Sequence, residues 1–163
     1  MILFWTFIIL CYIVDAVIYS VPVQVHAGVI IANGETVLSP AVLQSLGVTA
    51  VLNAAEEDVP ASPTKLAALG IQYHGFHVPD LPESDISRSV LCRESLLQVK
   101  INLRYFKVST EFIHSAVMRG GLVVVNCYMG LSRSATCVLA YLMAKHSITL
   151  DKVKKNQYQP IGN

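Results

Sequence analysis

The chain has 163 residues, enough for one domain of ordinary size, and 53% of them are hydrophobic while only 14% are charged. This composition excludes an intrinsically disordered chain, because disordered chains are poor in apolar residues and rich in charge. The formal net charge of +1 excludes a polycation that binds nucleic acid mainly through its charge, so we expect no nucleic-acid partner.

The first 25 residues are far more apolar than the rest, with 20 hydrophobic side chains. A secretory signal is disfavoured because no Lys or Arg precedes the apolar core, and a membrane-spanning helix would bury Asp15 near mid-bilayer. We interpret residues 1–24 as a buried strand or helix, or as the product of a misassigned gene start. A signal peptide or membrane anchor remains the alternative.

From Val25 onward, short apolar runs alternate with helical stretches, a pattern typical of an α/β domain. Asn33–Gly34 predicts a turn, and Ser39–Pro40 predicts an N-cap followed by a proline at the start of a helix. The pattern predicts strands over 25–32, 48–54 and 71–78 and helices over 40–46 and 64–69.

All 12 Lys and Arg residues lie in the part of the chain from Lys65 onward. An anion-binding site is therefore expected there. Apolar spacing predicts a helix over 105–119 that ends at Gly120–Gly121, followed by a strand over 122–125. The sequence then predicts a tight loop over 126–132 and an amphipathic helix over 134–146.

Four cysteines show neither a C-x-x-C pair nor a Cys/His spacing suited to zinc: Cys11, Cys92, Cys127 and Cys137. They are too sparse for a disulfide scaffold, so we expect reduced thiols in an intracellular protein. Cys137 lies in mid-helix among apolar residues and is interpreted as a small core residue.

Cys127 follows a buried strand and begins a loop that contains Gly130 and precedes a helix starting near Arg133. Such a loop directs several backbone N–H groups at one spot, where the helix dipole adds positive potential. The same donors would stabilise a thiolate on Cys127, and the guanidinium of Arg133 could pair with two phosphate oxygens. Ser132 and Ser134 supply hydroxyl groups near the sulfur.

Other readings of this loop are weaker. No G-K-[ST] follows the glycine, which excludes a P-loop for nucleotides. An acyl-transfer cysteine is disfavoured because no histidine is placed by the sequence to act as its base. A merely structural Cys127 does not account for the ordered series of strand, cysteine, five residues, arginine, serine and helix.

The segment NCYMGLSRS resembles the H-C-x5-R-[ST] signature of the cysteine-dependent dual-specificity protein phosphatases. The flanking GLSRSATCVLAYLM and the upstream GVTAVLNAAEE are similar to small atypical members of this family. The resemblance implies a three-layer α/β fold of the protein-tyrosine-phosphatase type, with a central, mostly parallel sheet flanked by helices. The resemblance covers residues 25–151. The reaction that it implies requires neither a metal nor another cofactor.

The resemblance also implies roles for individual residues. Cys127 would be the nucleophile, Arg133 the phosphate clamp, Asp80 the general acid and Ser134 a helper in releasing the thiolate. Asp85 is the alternative general acid, although a position at a helix N-terminus suits it better. The phosphate-binding loop would comprise Tyr128, Met129, Gly130, Leu131, Ser132 and Arg133.

Three features depart from the family pattern. Asn126 stands where the signature has a histidine, which puts thiolate activation in doubt. Residues 89–104 have no counterpart in the pattern and are either a lid-like insertion or noncoding sequence retained in a gene model. Residues 152–163 form a polar tail where the family continues with further helices, so a truncated reading frame would also explain the chain.

The resemblance therefore implies a phosphatase that acts on phosphotyrosine and on phosphoserine or phosphothreonine in proteins through a cysteinyl-phosphate intermediate. A signalling kinase is one expected class of phosphoprotein substrate. The alternative is a pseudophosphatase that binds phosphoproteins without turnover. Tyr128, Met129 and Leu131 are uncharged, which disfavours polyanionic inositide substrates. We expect a cytoplasmic location. The alternatives are the nucleus and a membrane to which residues 1–24 would anchor the protein.

Overall fold

The computed structural model describes residues 22–77, 93–131, 133–146 and 159–160; for 93–103 and 159–160 it describes the backbone. Its strands are β1 (Val23–His26), β2 (Val29–Ala32), β3 (Ala50–Asn53), β4 (Gln72–Gly75), β5 (Val123–Asn126) and β6 (Gln159–Pro160). Its helices are α1 (Gly34–Leu38), α2 (Pro40–Ser45), α3 (Pro63–Ala68), α4 (Arg93–Met118) and α5 (Arg133–His146).

The strands form one sheet in the order β4-β3-β5-β2-β1-β6. β4, β3, β5 and β2 are parallel neighbours, whereas β1 pairs antiparallel with both β2 and β6. The predicted central, mostly parallel sheet is therefore confirmed. Among the described elements, no helix is both long and apolar enough to cross a bilayer.

Alternate residues of the central strands point to opposite sides of the sheet, and nearly all of them are apolar. Helices therefore cover both faces. On one face, Leu52 and Val125 pack with Ile113 of α4 and Tyr141 of α5. On the other face, the strand residues pack against the short helices: Ile30, Val51 and Val124 lie in one cluster with Val37, Leu43 and Leu66. This arrangement confirms the three-layer architecture.

The predicted single strand over 25–32 is wrong. The chain turns at Ala27–Gly28, where Gly28 has φ +76, and β1 and β2 form an antiparallel hairpin. Asn33–Gly34 is not a free turn either, because Asn33 caps α1: its side-chain oxygen accepts from the backbone N–H of Thr36 at 3.1 Å.

The helix predicted to begin at Tyr105 begins at Arg93 instead. No Gly or Pro occurs between Pro82 and Gly120, and the added stretch is rich in Arg, Glu, Leu, Gln and Lys, which are good helix formers. Residues 93–104 of the segment predicted to be an insertion are therefore the first part of α4. The origin of residues 89–104 stays a prediction.

Candidate functional site

Four strands end in one row at the edge of the sheet that carries the site. The register pairs Ala32 with Asn126, Asn126 with Asn53, and Asn53 with Gly75. Because the carboxyl ends of parallel strands meet at the same edge, the loops that follow them lie side by side. Residues 127–132, here named the cysteine loop, follow Asn126, and the loop of residues 54–62 follows Asn53.

The structure places Cys127 directly after β5, with only 2% of the residue exposed. It packs against Ala55 and Val59 of the loop after β3. Its Sγ lies 3.4 Å from the Oγ of Ser134, which is fully buried in the first turn of α5. A hydroxyl at this distance can donate to the sulfur, as the predicted role of Ser134 requires.

Two contacts fix the path of the cysteine loop. The backbone N–H of Gly34 donates to the carbonyl of Tyr128 at 3.0 Å. Gly130 has φ +80, and a Cβ at this position would lie 2.9 Å from the backbone carbonyl of Ala32. The loop is therefore held against the start of α1, and only glycine satisfies both the dihedral angle and the close approach.

Arg133 opens α5, and its side chain is only 6% exposed. Its Nη1 donates to Oδ2 of Asp58 at 2.6 Å, so a carboxylate holds the guanidinium that was predicted to clamp phosphate. No role for Asp58 was predicted from the sequence. A run of three acids, 56–58, directly after a buried strand was the available signal, but it did not say which acid reaches the arginine.

Asn126 is fully buried and bonded to a second asparagine that the sequence analysis also missed. Its Nδ2 donates to Oδ1 of Asn53 at 3.1 Å. Asn53 Oδ1 also accepts from the backbone N–H of Ala55 at 3.1 Å, and its Nδ2 donates to the carbonyl of Val59 at 2.8 Å. The available signal was that both apolar strands end in an asparagine.

Asn53 continues this network toward β4. Its Nδ2 also donates to the phenolic oxygen of Tyr73 at 3.2 Å, and Tyr73 donates to Oε1 of Glu56 at 3.1 Å. Burial, and to a lesser degree the charge and hydrogen bond of Glu56, raise the pKa of Tyr73 to about 12, while the bond from Asn53 opposes this shift. Tyr73 is therefore a neutral donor at physiological pH.

The loop side chains Tyr128 and Met129 are exposed by 60% and 50%. Cys137, by contrast, is a buried core residue as expected, and burial raises the pKa of its thiol to about 11. A hydrogen bond from Ser109 lowers this pKa less than burial raises it, and Cys127 adds a smaller upward shift. The two thiols thus occupy different environments.

The predicted general acid, Asp80, lies outside the described residues, as do Asp85, Ser132 and Cys92. His77 is the last described residue before that segment, and its Nε2 lies 3.8 Å from Oε2 of Glu57. The structure thus brings Cys127 and Ser134 together and joins Arg133 to Asp58. In the described ranges, no cluster of three or more metal-ligating side chains occurs.

Comparisons with known proteins agree with this architecture. Residues 29–156 match the model of the dual specificity phosphatase catalytic domain. Dual specificity protein phosphatase 26 from Bos taurus is 35% identical over 134 residues, which cover 81% of this chain and 56% of that protein. The human protein of the same name is 38% identical over 115 residues, covering 69% and 47%. The chain therefore spans about half the length of these curated relatives.

Solved structures show the same fold. Human DUSP28 superposes with a TM-score of 0.59 at 23% identity, covering 81% of this chain and 75% of that one. The human tyrosine phosphatase-like serine/threonine/tyrosine-interacting protein superposes with a TM-score of 0.61 at 20% identity, covering 82% and 79%. At these identities the likeness concerns the fold alone.

Proposed function

Because the chain belongs to the dual-specificity phosphatase family, we propose that it hydrolyses phosphate monoesters of tyrosine and of serine or threonine in proteins. The observation that carries the proposal is the buried Cys127, whose sulfur faces Ser134 beneath a loop that ends at Arg133. A buried thiol held in this way, in a loop that leads into the N-terminus of a helix, is suited to attack a bound phosphoryl group.

The proposed reaction has two steps. The thiolate of Cys127 attacks phosphorus and the bond from phosphorus to the substrate oxygen breaks, while Asp80 protonates that oxygen. Water then attacks the cysteinyl phosphate, Asp80 accepts a proton from it, and the thiolate leaves with a hydrogen bond from Ser134. Arg133 binds the phosphoryl oxygens in both steps.

We propose that Tyr128 and Met129 contact the substrate, because both side chains follow Cys127 directly in the loop and are exposed. They are uncharged, and Asp58 and Glu57 of the neighbouring loop carry negative charge. This rim favours a phosphoprotein over a polyanionic inositide, whose further phosphates would be repelled. We further propose a cytoplasmic location, which microscopy of the tagged full chain would test.

The experiment is hydrolysis of an aryl phosphate by the purified chain, with Cys127→Ser as the control. Turnover that disappears in the variant supports the proposal; dephosphorylation of matched phosphotyrosine and phosphothreonine peptides would then establish dual specificity. Absence of Cys127-dependent turnover would overturn it.

A pseudophosphatase is the second candidate, and the neutral Asn126 in place of the signature histidine is the observation that favours it. Binding of phosphopeptides without turnover by the intact chain would establish this candidate instead. If the wild type turns over slowly and Asn126→His turns over faster, Asn126 lowers the rate of an active enzyme.

A further inference from the structure

Resting on the proposed function, we propose that Asn53 is a positioning residue for both halves of the phosphate site. Its carboxamide holds Asn126, from which the nucleophile follows, and the loop from which Asp58 reaches Arg133. The four hydrogen bonds that support this role are all made by described residues.

Orientation of the Asn53 carboxamide is fixed by backbone groups. The N–H of Ala55 can only donate and the carbonyl of Val59 can only accept, so Oδ1 faces Ala55 at 3.1 Å and Nδ2 faces Val59 at 2.8 Å. Tyr73 agrees with this assignment, because its hydroxyl donates to Glu56 and therefore offers a lone pair to Nδ2.

Asn126 takes its own orientation from Asn53. Since Oδ1 of Asn53 can only accept, Asn126 must present Nδ2 to it, at 3.1 Å, and its Oδ1 points to the opposite side. That oxygen is buried and has no hydrogen-bond partner among the described residues. One buried acceptor thus sets the orientation of the residue directly before Cys127.

The second arm runs through the loop after β3. The bond from Asn53 to the Val59 carbonyl fixes the residue next to Asp58, which pairs with Arg133 at 2.6 Å. Val59 also packs against Cys127. Loss of the Asn53 carboxamide should therefore disturb Cys127 through Asn126 and disturb Arg133, the proposed phosphate clamp, through Asp58.

The two arms are separable by experiment. We would measure the rate at which iodoacetamide alkylates Cys127 across pH, and the affinity for tungstate, in Asn53→Ala, Asn126→Ala and the double variant. Asn53→Ala should slow alkylation at low pH about tenfold and weaken tungstate binding about tenfold. In the Asn126→Ala background, Asn53→Ala should slow alkylation less than it does in the wild type, because only the contact through Val59 remains to be lost, but it should still weaken tungstate binding about tenfold.

A merely structural Asn53 would behave differently. The proposal would be overturned if Asn53→Ala reduced the alkylation rate and the tungstate affinity equally in the wild-type background and again in the Asn126→Ala background. It would also be overturned if folded Asn53→Ala left both alkylation and tungstate binding unchanged. Leu66→Ala, which leaves a cavity in the apolar cluster around Val51 and Val124 and removes no hydrogen bond of Asn53, serves as the destabilised control and should leave both readouts within about twofold.

If Asn53→Ala does not fold, Asn126→Ala alone must slow alkylation about tenfold and keep tungstate affinity within about threefold, and equal losses would overturn the proposal. If the wild-type chain does not hydrolyse aryl phosphate, the proposed function fails, but alkylation and tungstate binding still decide the role of Asn53.

Discussion

Arg133 illustrates how single residues build the site, because it combines a charge with almost complete burial. A guanidinium that is 6% exposed requires a partner, and Asp58 supplies one at 2.6 Å. The pair can fix the arginine side chain before an oxyanion arrives, so less side-chain entropy is lost when the anion binds.

Asp58→Ala should therefore weaken tungstate binding about tenfold. Orientation should outweigh the removal of repulsion, because the ion pair is short while Asp58 is 41% exposed and its longer-range field is screened. The matched control is Glu57→Ala, which removes the same charge from a side chain that is 76% exposed and should change affinity less than about twofold. Tighter binding by Asp58→Ala would contradict the positioning role.

Ser134→Ala should lower kcat about tenfold to a hundredfold and lower KM with it, leaving kcat/KM nearly unchanged, because its hydroxyl lies 3.4 Å from the sulfur that must leave in the second step. Rapid-mixing kinetics should then show a burst of product followed by slow turnover. The matched control is Ser115→Ala, an exposed serine of α4 that bonds only to backbone carbonyls. A variant with unchanged kcat would remove Ser134 from the mechanism.

The cysteine loop is the element in which local geometry matters most. It connects a buried strand to the first turn of α5, and its contacts with Gly34 and Ala32 belong to a different part of the chain. The loop is therefore preformed by the β2–α1 corner rather than by its own residues.

Gly130→Ala should abolish tungstate binding and lower the free energy of unfolding by about 1–3 kcal/mol, because an alanine at φ +80 is strained and its Cβ would meet Ala32. Gly47→Ala is the control for the dihedral angle alone: Gly47 has φ +70, and a Cβ there meets nothing within 4 Å. It should cost about 1 kcal/mol in thermal unfolding and leave binding intact. Equal behaviour of the two variants would show that the close approach is unimportant.

At the scale of the whole molecule, histidines join the hairpin to the C-terminal end of α5. The rings of His26 and His146 have centroids 4.4 Å apart, and His146 Nε2 lies 3.0 Å from the hydroxyl of Tyr141. Burial, and then the charge of His146, lower the pKa of His26 below 6.5. The cluster therefore favours a neutral His26.

The native state should bind fewer protons at His26 than the unfolded chain does just below pH 6.5, so stability should fall as pH decreases through 6.5. His26→Gln removes this contribution, and its Tm should fall less than that of the wild type between about pH 7.5 and pH 5.5. The difference should be about 1–2 °C, because solvent screens a partly exposed pair. Parallel Tm curves for the two proteins would contradict the assignment.

The sequence predicted β3, β4, β5 and α5 because apolar periodicity and glycine boundaries are local signals. It could not predict the pairs Asn53–Asn126 and Asp58–Arg133, which are 73 and 75 residues apart and arise from sheet register. The predicted start of α4 at residue 105 was also wrong. No helix-breaking residue marks that position, and residues 93–104 have a high helix propensity that the resemblance to the family pattern did not take into account.

β4 lies at one end of the strand order, and in the described part of the chain it pairs only with β3. An edge strand of four residues exchanges its amide hydrogens sooner than the central β5, because fewer backbone bonds must break. β4 carries Tyr73, and the chain leads from it toward Asp80. A brief opening of this strand would thus release Tyr73 from Asn53 and Glu56, so amide exchange in β4 should report on whether the hydrogen bonds around Asn53 are intact.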